Sequence, residues 1–146
     1  MATPTMPEPF ATIHTAVSAK LLAEGMTCYD HLPLELYGVP SAYLTVTDAL
    51  PDYGRADQGE LAIGQVPYSL KYFVSLEGDE RVATMQAYSG VRAIYRAFTG
   101  ASLGGLVRDA RIDRVTVDMV EFGTNRRPML LVEASLQIKP RQYPVT

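Results

Sequence analysis

A chain of 146 residues, 47% hydrophobic and 20% charged, suits one domain that buries roughly 70% of the surface its unfolded form exposes, so it needs neither disulfide nor metal to fold. The single cysteine, Cys28, excludes an internal disulfide and fits a reducing compartment. A net charge of −3 argues against a general nucleic-acid binder; no stretch approaches the ~20 apolar residues of a membrane helix, and the proline-containing start has no apolar run of a secretory signal.

Residues 1–9 read as a flexible arm, because Pro4, Pro7 and Pro9 block regular structure. Over 10–24, Phe10, Ile13, Val17 and Leu21 recur at spacings of three and four, which predicts an amphipathic helix ended by Gly25. Residues 26–40 read as a connection carrying Cys28, His31 and Pro33. Residues 41–47 alternate and predict a strand. The Asp-, Gly- and Pro-rich stretch 48–60 predicts a long loop, and loops of this length in compact domains are usually functional or disordered. Residues 61–76 are extended, with Tyr68, Leu70, Tyr72, Val74 and Leu76 on one face; Gly64 and Pro67 suggest a bulge or an edge near the start.

A second helix opens at Asp79, a good N-cap, and stops at Gly100. Its expected core stripe is Val82, Met85, Tyr88, Val91, Tyr95 and Phe98. After a glycine-containing connection, 112–122 alternates through Val115, Val117 and Met119. A turn at 123–126 leads to the cleanest strand of the chain, 129–139, whose Leu130, Val132, Ala134, Leu136 and Ile138 share one face. Residues 140–146 form a short tail. The expected fold is therefore a single α+β domain of order αββαββ: a four-stranded antiparallel sheet with two helices packed on one face.

The residues of catalysis are scarce. Cys28 and His31 stand three apart, but zinc requires four ligands, or three and a water, and no second Cys/His pair exists. Nothing marks an orienting group or an oxyanion hole for a Cys–His nucleophile. The stretch Gly100 to Gly105 follows a helix and precedes a strand, the reverse of a phosphate-binding loop. Asp48, Asp52, Asp57 and Glu60 do not match calcium-loop spacing. The expectation is a protein that is not an enzyme and uses no cofactor or metal.

Charge is distributed unevenly. Residues 1–73 carry three Lys or Arg against eight acids, a balance of −5, and residues 74–146 carry ten against eight, a balance of +2. Complementary poles of this kind can steer copies into register. Arg108, Arg111, Arg126 and Arg127 are candidate subunit or partner contacts. Tyr43, Tyr68 and Tyr72 offer aromatic area that could serve an interface or the core.

The ordered pattern resembles one family. A short helix leads into Tyr29-Asp30-His31-Leu32-Pro33; a Pro40-Ser41-Ala42-Tyr43-Leu44-Thr45-Val46 strand, a polar Asp/Gly loop, a long strand, a helix and a C-terminal hairpin follow. This looks like the tail terminator (tail completion) proteins of tailed bacteriophages, of the Mu-like and lambda-like kind. The resemblance implies a hexameric ring that caps the tail tube and provides the head–tail joining surface. Its partners would be copies of itself, the tail tube protein and a head-closure or connector protein, with the sheath protein a further candidate. DNA would meet it only in passage through the lumen, with Asp48, Asp52, Asp57 and Glu60 on the loop facing it, and no membrane would be involved. The location implied is the virion tail or neck, after synthesis in a bacterial host cytoplasm. The alternatives left open are another neck, head-closure or minor tail protein, and a dimeric small-ligand-binding domain.

Overall fold

The computed structural model describes residues 6–7, 10–36, 38–47, 50–51, 63–98 and 107–140, without the side chains of 50–51, 63–64, 107–109 and 140. Most of the arm at 1–9, the tail at 141–146 and the acids of the 48–60 loop lie outside these residues. Helix α1 spans Phe10–Ala23 and buries Ile13, Ala16, Val17 and Leu21. It ends as its sequence predicts. Gly25 takes φ 82°, its N–H donates to the Leu22 carbonyl, and the Met26 N–H donates to the Leu21 carbonyl. These are the paired bonds of a Schellman cap, and its two apolar positions, Leu21 and Met26, are both buried in the main core.

The strands are β1 (Cys28–Tyr29), β2 (Ser41–Val46), β3 (Leu50–Pro51), β4 (Ile63–Ser75), β5 (Val107–Phe122) and β6 (Arg127–Pro140), with α2 (Glu80–Phe98) between β4 and β5. The sheet runs β1-β2-β4-β6-β5, and β3 pairs with β4 off that path. The α+β class, the two helices and the C-terminal hairpin match the sequence reading. The four-stranded, all-antiparallel sheet does not: β1 adds a fifth strand parallel to β2, with Cys28 beside Ala42 and Tyr29 beside Tyr43. Two residues are too few to show alternation, so β1 is hidden inside a stretch that reads as a connection. The 48–60 loop is also shortened, because Leu50 and Pro51 pair with Gln65 and Ile63. Pro140, read as tail, ends β6 opposite Val107.

Pro67 sits in a strand paired on both sides, and the hydrogen bonding explains how it is tolerated. Its carbonyl accepts from the Thr47 N–H at 3.0 Å, so its missing N–H also faces the β2 side, where β2 stops at Val46. The break between β2 and β3 falls where Pro67 offers no donor.

Both helices cover one face of the sheet. Their buried residues join Ala42, Leu44, Val66, Tyr68, Leu70, Tyr72, Val74, Val132, Ala134, Leu136 and Ile138 in the main core. A second, smaller core lies on the opposite face near the β5–β6 turn. There Tyr43, Phe73 and Met129 are covered by Tyr29, Leu36 and Val39 from the segment before β2. Tyr29 stacks on Tyr43 at 5.5 Å between centroids, and Phe73 meets the Tyr43 ring edge-on at 6.0 Å.

Candidate interaction surface

The side chains that could do chemistry are inert or solvated. The Cys28 thiol is buried, and burial, followed by the nearby Asp30 carboxylate, pushes its pKa up to about 12. It is therefore protonated and unreactive at neutral pH. His31 Nδ1 pairs with Asp30 Oδ1 at 2.8 Å on the surface, which holds the Asp30 carboxyl below its usual range. Among the described residues no group of three His, Cys, Asp or Glu converges as a metal site.

The residues expected at an interface separate into distinct groups. Tyr43, Tyr68 and Tyr72 are core residues, at 0%, 4% and 8% exposure. Their rings are enclosed within the chain itself, so they have no free area for a partner, which corrects that expectation. Arg127 is committed to an intrachain pair, its Nε donating to Glu77 Oε1 at 3.2 Å and its Nη2 to Glu77 Oε2 at 2.9 Å. Arg126 is exposed in the hairpin turn with φ 50°. Arg111 is exposed on β5, lining with Gln65, Asp113, Gln137 and Lys139 a shallow polar groove of about 260 Å3. Arg108 lies on β5 with its side chain outside the described residues, as do Asp48, Asp52, Asp57 and Glu60 entirely.

The surface that stands out is one the sequence reading assigned to the core. Helix α2 buries Ala83, Ala87, Gly90, Ile94, Ala97 and Phe98. Of the expected stripe, Phe98 is buried and Val91 packs half-buried against the core, but Val82, Met85, Tyr88 and Tyr95 are exposed, Met85 at 60% and Tyr88 at 65%. The reason is the closeness of helix to sheet. A Cβ on Gly90 would stand 2.5 Å from the Tyr72 ring, so around Gly90 only small residues fit beneath the helix and Val82, Met85 and Tyr88 turn outward, whereas Ile94 and Phe98 are buried further along. The small-residue row Ala83, Ala87, Gly90, Ala97 was the available signal.

The outward apolar surface continues onto the sheet edge. Val115, Val117 and Met119 of β5 lie on the helix side, and Met119 is 75% exposed. Between helix and strand runs an open groove of about 380 Å3, lined by Tyr88, Val91, Tyr95, Val115 and Val117. Contiguous exposed apolar side chains of this kind mark interaction sites, whereas scattered ones do not. The opposite face of the sheet, away from its small core, is polar: Ser69 Oγ donates to Glu133 Oε2 at 2.8 Å, Lys71 Nζ lies 3.6 Å from the same oxygen, and Gln65 Nε2 donates to Gln137 Oε1.

No described helix is long and apolar enough to cross a membrane. No protein-family model matches the chain, and no curated protein matches it in sequence.

Proposed function

We propose that this chain is a structural virion protein of the tail-terminator type, whose copies assemble into a ring that caps the tail tube and joins it to the head. The observation that carries the reading is the outward apolar surface of α2 and β5, which leaves Met85, Tyr88 and Met119 in water in an isolated subunit. A subunit of an assembly covers such side chains, at about 25 cal/mol per Å2 of apolar area removed from water. The uneven charge, −5 in residues 1–73 against +2 beyond, supports subunits that meet in a defined register. In this reading the acids Asp48, Asp52, Asp57 and Glu60 keep DNA from adhering to the lumen by like-charge repulsion, and the partners are the tail tube and head-closure proteins.

Light scattering of the purified chain, alone and with tail tubes, tests the reading together with negative-stain microscopy. Rings of subunits on the tube ends are expected. A chain that never associates with tail tubes and leaves their growth unchecked sinks it. The groove between Tyr88, Val91, Tyr95, Val115 and Val117 favours a second reading, a dimeric domain binding a small apolar ligand; a thermal shift with such ligands and none with tail tubes would select it.

A further inference from the structure

The outer edge of β5 is specific in its own right. Leu76 donates its N–H to the Pro128 carbonyl, which directs the even-numbered residues of β6 toward β4 and the odd-numbered ones, Glu133 among them, toward β5. Thr116 lies opposite Glu133, so its N–H and C=O face β6, while those of Val115 and Val117 face outward. Among the described residues no strand pairs with that edge. Register irregularities at 107/109 and 112/114 confine the regular part of the edge to the turn-side portion that begins at Arg114, and bulges commonly limit edge pairing in this way.

The stretch Arg114-Val115-Thr116-Val117-Asp118 is self-complementary when read antiparallel about Thr116. Arg114 then stands opposite Asp118 of a second copy, Asp118 opposite Arg114, and each Val115 opposite Val117. Because Thr116, Arg114 and Asp118 direct their backbone groups to β6, their cross-copy pairs are the non-hydrogen-bonded kind, in which side chains approach most closely. The Val115–Val117 pairs supply the backbone hydrogen bonds. Shifting the axis by two residues either way sets Arg114 against Arg114 or Asp118 against Asp118, so the charges reject those registers. Arg114 and Asp118 are both exposed, and neither has an ion-pair partner among the described residues.

We propose that β5 pairs with β5 of a second copy of this chain about a two-fold axis at Thr116, making one sheet continuous across two subunits. The axis keeps both α2 helices on the same side. Val115 and Val117, which line the groove beside Tyr88 and Tyr95, then meet Val117 and Val115 of the second copy and leave water, while Met119 lies beyond the paired stretch. A two-fold contact closes at two copies, so it is separate from ring formation and goes beyond that reading.

The test is a charge swap in the full chain, with mass read by sedimentation across concentration and folding checked by circular dichroism. Arg114→Asp and Asp118→Arg each set like charges opposite one another twice, and each is expected to weaken dimerisation by about tenfold or more. The double variant Arg114→Asp/Asp118→Arg restores it, and so does an equimolar mixture of the two single variants, whose heterodimers regain both pairs. A monomeric wild type, dimers indifferent to both single changes, or a double variant as weak as the singles overturns the proposal. Single variants that still form rings on tail tubes would leave the ring reading standing without this contact. Charge-swappable dimers that ignore tail tubes would do the reverse.

Discussion

Two buried residues carry opposite lessons about packing at single positions. Tyr68 is in the core at 4% exposure, and its hydroxyl has no hydrogen-bond partner among the described residues; burial holds its pKa well above the usual phenol range. A buried hydroxyl without a partner costs about 1–3 kcal/mol. Tyr68→Phe removes that cost and keeps the ring, so thermal unfolding should move upward by an amount corresponding to about 1 kcal/mol; a fall in the midpoint would show that the hydroxyl is bonded. Gly90 is the opposite case. Alanine is the better helix former by about 1 kcal/mol, but its Cβ would stand 2.5 Å from Tyr72 Cε1, and overpacking of that kind costs about 1–3 kcal/mol. Tyr72 is itself buried and held by the core, so the clash should win. Gly90→Ala is expected to lower stability in denaturant titration, and combining it with Tyr72→Leu should recover part of the loss; a stabilising single change would show that the ring gives way.

At the scale of elements, helix ends and the buried face of α1 were readable, and the buried face of α2 was not. Asp79 caps α2: its Oδ1 accepts from the Arg81 N–H at 2.9 Å, and its carbonyl accepts from the Ala83 N–H. Asp79→Ala should cost about 1 kcal/mol and fray the first turn, seen as faster amide exchange at Arg81 and Val82 with the rest of α2 unchanged; uniform exchange along the helix would refute a local cap. The same local chemistry made Gly25 and Asp79 legible, because a cap is decided within a few residues. The alternation of β6 was legible for a similar reason: Leu130, Val132, Ala134, Leu136 and Ile138 all lie in or against the main core. Even the extra residue of β5 left a trace, since Ile112 and Val115 stand three apart where alternation requires two or four, and the bulge between Ile112 and Arg114 absorbs the difference. The buried face of α2 depends instead on how near Tyr72 allows the helix to come, a tertiary fact invisible in the helix's own periodicity. Hydrophobicity favoured Val82, Met85, Tyr88 and Tyr95 for the core, whereas space favoured Ala83, Ala87 and Gly90. The candidate interaction surface was therefore visible in the sequence as residues but assigned to the wrong side, and the tyrosines offered for an interface were core.

For the molecule as a whole, the turn end of the sheet is where separate segments are tied together by carboxylates. Glu35, from the segment covering the small core, accepts from both the backbone N–H (2.6 Å) and the hydroxyl of Thr124 in the β5–β6 turn. Glu77, just after β4, grips Arg127 at the start of β6 through two bonds. The Thr124 hydrogen bonds hold the Glu35 carboxyl below its ordinary value of 4.5, and the Arg127 guanidinium does the same for Glu77. A carboxyl whose folded pKa lies below its unfolded value stabilises the fold above the unfolded value and loses that contribution as pH falls through the folded one. Stability should therefore be flat from neutral pH down to about 5 and decline below 4.5, the unfolded reference of both groups. Both carboxyls are exposed, so water and salt screen them and the individual effects are small. Urea midpoints across pH measure this. Glu35→Gln and Glu77→Gln should each lower the neutral plateau and make the acid decline shallower, with Glu77→Gln the more salt-sensitive of the two because its partner is a full charge and not a hydroxyl. If both variants decline as steeply as the parent chain, the acid response lies in other carboxylates, and the ties at the turn end contribute geometry without pH dependence.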